Sequence, residues 1–137
     1  MIASEAKDAI LTVFKTVWDA YPGTPVAIYP DIPGDPPTTE VLWARATVQH
    51  ATGAQTSLAS DIGTRRFTAT GFLWVQVFAP TGDGSSAALT AAQAIVNAYR
   101  VARLAVLFRD VGLIEMGRDG AFSRVDVKAN FEYDDIR

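Results

Sequence analysis

Gly71-Phe72-Leu73-Trp74-Val75-Gln76-Val77-Phe78 is the stretch on which the fold turns. In an extended strand, successive side chains point to opposite faces. Leu73, Val75 and Val77 therefore share one face, and Phe72, Trp74 and Phe78 share the other. Both faces are apolar, which predicts a strand over 65–79 that is covered on both sides. Helices of the same chain can supply one cover. The second is either more of the same core or a neighbouring subunit, and the stretch by itself leaves both open. Trp74 and Phe78 are of the residue types enriched at the centres of protein interfaces.

Downstream, Pro80 ends the strand, and Thr81-Gly82-Asp83-Gly84-Ser85-Ser86 reads as a turn into a helix with Ser85 or Ser86 as N-cap. Leu89, Ala92, Ile95, Val96 and Tyr99 give that helix an apolar stripe. Arg100 and Arg103 lie near its C-terminal end, where cations are favoured. Residues 111–116 and 121–133 are expected to pair as a hairpin around Gly117-Arg118-Asp119-Gly120. The last strand alternates. Ala121, Ser123, Val125, Val127, Ala129, Phe131 and Tyr133 are assigned to the core, and Arg124, Asp126, Lys128, Asn130 and Glu132 to the outside.

Upstream, Ile10, Val13, Phe14, Val17, Trp18 and Tyr21 recur every three or four residues and predict a helix over 4–21. Ser4 is the expected N-cap and Glu5 suits the first turn, while Pro22 and Gly23 stop the helix. Residues 25–29 are a short strand. Pro30 to Pro37 holds four prolines, one glycine, Asp31 and Asp35, and cannot join a ladder. Over 40–50, Leu42, Ala44, Ala46 and Val48 point one way, and Trp43, Arg45, Thr47 and Gln49 the other. Residues 51–64 have no period and little bulk, and read as a mobile hairpin arm. The order α-β-β-β-α-β-β predicts an α+β fold. Its antiparallel or mixed sheet has about five strands with two main helices on one face, and one domain spans 1–137.

The 137 residues are 49% hydrophobic and 20% charged, an ordinary globular composition. The net charge of −3 argues against a dedicated nucleic-acid binder. The absence of cysteine excludes disulfides, thiolate zinc sites and cysteine nucleophiles. No run approaches the roughly 18 apolar residues of a membrane span, and the first residues do not read as a signal peptide. The expectation is a cytosolic chain without a membrane partner.

No catalytic, cofactor or metal site is predicted. His50 is the single histidine, and nothing near it in sequence supplies a nucleophile or an orienting partner. Gly82-Asp83-Gly84-Ser85 lacks the Gly-Lys-Ser/Thr ending of a phosphate loop. Asp31 and Asp35 are too few for calcium, and Asp134 and Asp135 read as a solvated tail. The candidate residues belong to interfaces instead. They are Trp43 and Arg45 on the second strand, the doublet Arg65-Arg66 at the base of the arm, and Trp74 and Phe78. To these the mixed charges of the last strand add Arg124, Asp126, Lys128 and Glu132. A solvated surface is the alternative reading of those charges.

Thr24-Pro25-Val26-Ala27, Trp43-Ala44-Arg45-Ala46 and the run from Gly71 to Phe78 before Pro80-Thr81-Gly82-Asp83-Gly84 occur in that order. Phe108, Val111, Gly112 and the ending Asn130-Phe131-Glu132-Tyr133-Asp134 follow. Taken together, they resemble the tail terminator proteins of long-tailed, siphovirus-like phages and related phage-derived particles. The resemblance implies a virion protein made in the bacterial host cytoplasm, without catalysis or cofactor. It implies a ring of six subunits that caps the tail tube, ends its elongation and presents the surface that joins the head. The implied partners are further copies of the chain, the tail tube protein and a head-completion or neck protein. Another neck or head-completion connector is the alternative, followed by a small-molecule-binding domain.

Overall fold

The apolar stretch at 71–78 lies in the central strand of the computed structural model, which describes residues 1–30, 32, 34–37, 40–55, 57–58 and 61–136. Asp31 and Pro33 of the proline-rich loop and Thr56, Ala59 and Ser60 of the expected arm lie outside those residues, as does the side chain of Asp83. The chain runs α1 (Ala3–Asp19), β1 (Val26–Ile28), β2 (Trp43–Gln55), β3 (Arg66–Pro80), a single 3-10 turn (Thr81–Asp83), α2 (Gly84–Val101), β4 (Leu107–Asp119) and β5 (Phe122–Ile136). One sheet has the order β1-β2-β3-β5-β4. β1 is parallel to β2, and all other pairs are antiparallel. This is the expected α+β class and element order.

The period-two reading of β3 and β5 locates the core. Register aligns Ala46 with Val75 and Val75 with Val127, so three strands send small and branched side chains to the same side. Against them pack Ile10, Phe14 and Trp18 of α1 and Ala92, Ile95, Val96 and Tyr99 of α2. Both helices thus cover one face. Trp18 is fully buried and its Nε1 donates to the Val26 carbonyl at 3.2 Å, which anchors α1 to β1.

Several local expectations are corrected. α1 begins at Ala3, so Ser4 lies inside its first turn. The Glu5 carboxylate instead accepts from the Ile2 backbone N–H at 3.1 Å. The 3-10 turn brings the chain into α2 already wound, so Ser85 and Ser86 also lie inside the helix rather than capping it. β2 runs on to Gln55 and β3 starts at Arg66, with Thr52 to Gln55 paired to Thr70 to Phe67 after a bulge between His50 and Thr52. The first five residues of the expected arm, 51–55, are therefore strand, built from residues too small to show a period. The hairpin turn is tighter than expected, because Asp119 pairs with Phe122 and leaves Gly120 and Ala121 as its tip. Gly120 takes a φ of 62°, which a left-handed turn requires. Ala121 is exposed there and does not face the core. Gly117 is a strand residue at a bulge. β4 carries two such irregularities, between Arg109 and Gly112 and between Glu115 and Gly117, with Asp110 at φ 53° and Gly117 at 79°.

Tyr99 closes the core between the helices by donating its phenol to the Ile10 carbonyl at 2.6 Å. Burial raises its pKa above the ordinary value, and burial raises that of Tyr133 as well. An unfolded tyrosine ionises near pH 10. Below about pH 10 both states hold the proton and stability does not change on this account. Above it the unfolded chain loses protons that the folded chain keeps, so stability falls as pH rises. Melting temperatures are expected to be level up to about pH 10 and to drop beyond it. Tyr99→Phe should cost about 1 kcal/mol at neutral pH through the lost hydrogen bond and should flatten the alkaline drop. An equally steep drop in that variant would remove Tyr99 as its source.

Candidate protein-binding face

The side of the sheet without helices is built from the residues that alternate away from the core. Register sets them in rows across the strands. Arg45, Gln76, Asp126 and Ile114 form one row, and Thr47, Trp74, Lys128 and Gly112 the next.

One end of this face is aromatic. Trp43 and Phe78 are cross-strand partners stacked at 4.2 Å with 8° between their planes, and Phe122 meets each edge-on at 6.2 Å. Trp43 and Phe78 are only 5% and 4% exposed, yet they lie outside the core beneath the helices. The Arg45 guanidinium lies 5.7 and 5.9 Å from the two ring centres, and its Nε donates to Gln76 Oε1 at 2.9 Å. Trp43 Nε1 is buried and has no hydrogen-bond partner among the described residues.

The middle is held by Asp126. Trp74 Nε1 donates to Oδ2 at 2.8 Å, and Arg124 donates from Nε to Oδ1 and from Nη2 to Oδ2, both at 2.8 Å. The hydrogen bond to Asp126 raises the pKa of Arg124, and Asp119 adds a second carboxylate at 3.8 Å. Lys128 Nζ stands 5.5 Å from the Trp74 ring centre and 5.9 Å from that of Phe72. Asp126 was expected on a solvated or partner-facing surface, and this is corrected. It is 0% exposed, because its cross-strand and same-strand neighbours close over it. Its carboxylate holds the Trp74 indole and the Arg124 guanidinium in place.

The far end carries exposed ion pairs. Arg66 lies 3.5 Å from Asp134, which also accepts from Thr68 Oγ1 at 2.8 Å, and Arg109 pairs with Glu132. The expected basic doublet is split, since the Arg65 guanidinium stands 5.8 Å from the Phe67 ring instead. Of the ten candidate residues, then, Trp43, Arg45, Phe78 and Arg124 gather at one end. Trp74, Asp126 and Lys128 hold the middle, Arg66 and Glu132 lie at the other end, and Arg65 stands apart. Phe122 and Ile114 also belong to this face and were missed in the sequence. Phe122 has the same parity as Arg124, but its place beside the turn hid it.

His50 sits on the helix side, with Nε2 2.7 Å from the Tyr133 hydroxyl and its ring edge-on to Phe131 at 5.4 Å. It lies inside β2 opposite Gly71, not at the strand end that the sequence suggested. Among the described residues, no group of three or more His, Asp or Glu side chains is placed to hold a metal ion. No helix there is long and apolar enough to cross a membrane.

The fold is an α+β module whose helix-free face carries stacked aromatic rings edged by internally paired charges. A family model described as phage tail terminator protein matches residues 6–122. The chain belongs to the phage tail terminator family, which makes it a structural, tail-terminating protein of the phage virion. Eighteen chains of solved structures match it. One superposes with a TM-score of 0.61 at 18% identity, covering 92% of this chain and 94% of its own, which is a likeness of fold. A search of curated proteins gives no match.

Proposed function

We propose that copies of this chain close into a ring of six on the end of the tail tube. The ring stops the addition of further tube subunits and offers the surface that joins the head. Its partners are other copies of itself, the last ring of the tail tube protein and a head-completion protein. Family membership carries this reading, and the helix-free face supports it. That face is aromatic at one end and ionic at the other, so its two ends suit unlike neighbours, as a head-to-tail ring requires.

The experiment is electron microscopy of particles from a producer with a stop codon in this gene. Overlong tails of uneven length beside unattached heads are the expected result. Tails of normal length beside unjoined heads would replace this reading with that of a neck connector. Normal infectious particles would end both.

A further inference from the structure

Two apolar features among the described residues lie open on the surface. One is the tip of the arm between β2 and β3. Leu58 and Ile62 are 103% and 87% exposed there, so neither packs on its own chain. Asp61 lies between them.

The other feature is a groove of about 460 Å³ along the outer seam of α1 and α2. Small side chains, among them Ala9 and Ala98, leave it open, and Val13, Val17, Val101 and Leu104 line it. Val101 is 69% exposed and Leu104 40%. Arg103 also lines the groove, and its one hydrogen bond among the described residues goes to the adjacent Ala102 carbonyl.

We infer that the arm tip of one copy docks into the α1–α2 groove of the next, with Leu58 and Ile62 as apolar knobs and Asp61 facing Arg103. The knobs match the groove in chemistry and the groove has room for both. The acid of the arm meets a base of the groove, so the charges are complementary as well. Knob and groove are different patches of one surface, so the contact is heterologous and repeats from copy to copy. The inference deepens the ring reading and rests on it for closure, since only the rotation between copies decides whether the repeat closes.

The chain has no cysteine, which makes a direct test simple. Chains carrying Ile62→Cys and chains carrying Val101→Cys are mixed and oxidised mildly. Products are read by non-reducing electrophoresis and mass spectrometry, and assembly by light scattering. Both positions are exposed, so neither change disturbs the core. The expected result is a mixed disulfide that dominates both homodimers. Adding Leu58→Asp to the Ile62→Cys chain should lower its yield roughly tenfold, the effect of losing one buried aliphatic side chain. Pairing Ile62→Cys with Ile114→Cys on the helix-free face supplies the background from random collision, and a Val101 yield no higher than that background overturns the docking. Closed rings without the mixed disulfide overturn it while leaving the ring reading standing. A mixed disulfide in open chains that never close upholds the docking and removes the ring. Neither rings nor mixed disulfide removes both.

Discussion

Asp126→Ala is expected to lower the unfolding free energy by about 3 kcal/mol, at the lower end of what breaking a buried ion pair costs because Arg124 is partly solvated. That corresponds to a fall in melting temperature of roughly 10 °C for a chain of this size. The carboxylate satisfies three donors at once, two from Arg124 and one from Trp74. Its removal strands a guanidinium against the sheet and an indole N–H beneath it. Asp126→Asn keeps one acceptor and the volume, so it should lose about half as much. Replacing Arg124 and Asp126 together with Met and Leu should recover the part of the loss that comes from the stranded guanidinium, leaving only the cost of the unpaired Trp74 N–H. A single alanine variant that melts like the parent would show that the pair contributes nothing to stability.

Gly71→Ala is expected to cost at least about 3 kcal/mol, through overpacking that the sheet cannot relieve. A Cβ at this position would stand 2.2 Å from the Gln49 carbonyl oxygen, 2.5 Å from the tip of the Phe131 ring and 3.0 Å from the His50 Cα. Two of those three atoms are backbone of the neighbouring strand, so the β2–β3 ladder has to part for the methyl group. Gly53 provides the control, since its nearest atom is 4.0 Å away. Gly53→Ala should stay within about 0.5 kcal/mol of the parent. Urea denaturation of the two variants decides the matter. Equal midpoints would mean that the close approach at Gly71 is not what fixes the residue there.

The same positions show what a sequence carries in readable form. Alternation over Phe72 to Phe78 and over Val125 to Tyr133 reported the core face correctly, because a strand's period is a local property. The stripes of both helices were legible for the same reason. Residues 51–55 were not legible as strand, because Ala51, Thr52, Gly53 and Ala54 have too little bulk to mark a face, and pairing with 67–70 decides their conformation. Asp126 was misread because its burial depends on Trp74, 52 positions away, and on Arg124 folding back over it. Outward parity and solvent exposure are different things wherever large side chains share a face. The aromatic end was half visible. Trp43 and Phe78 were named as candidates, but their stacking on one another follows from register alone.

The sheet's outer margin at β4 bears on how the chain associates with itself. A straight edge of 13 residues invites backbone pairing with any other extended chain, but this one is bent at two bulges and studded with Arg109, Asp110, Glu115 and Arg118. The opposite margin, β1, is only three residues long. Both margins therefore resist edge-to-edge stacking of one copy on another into cross-β fibrils. The irregularity of one strand thus disfavours the fibrillar self-association that a straight edge of that length would invite.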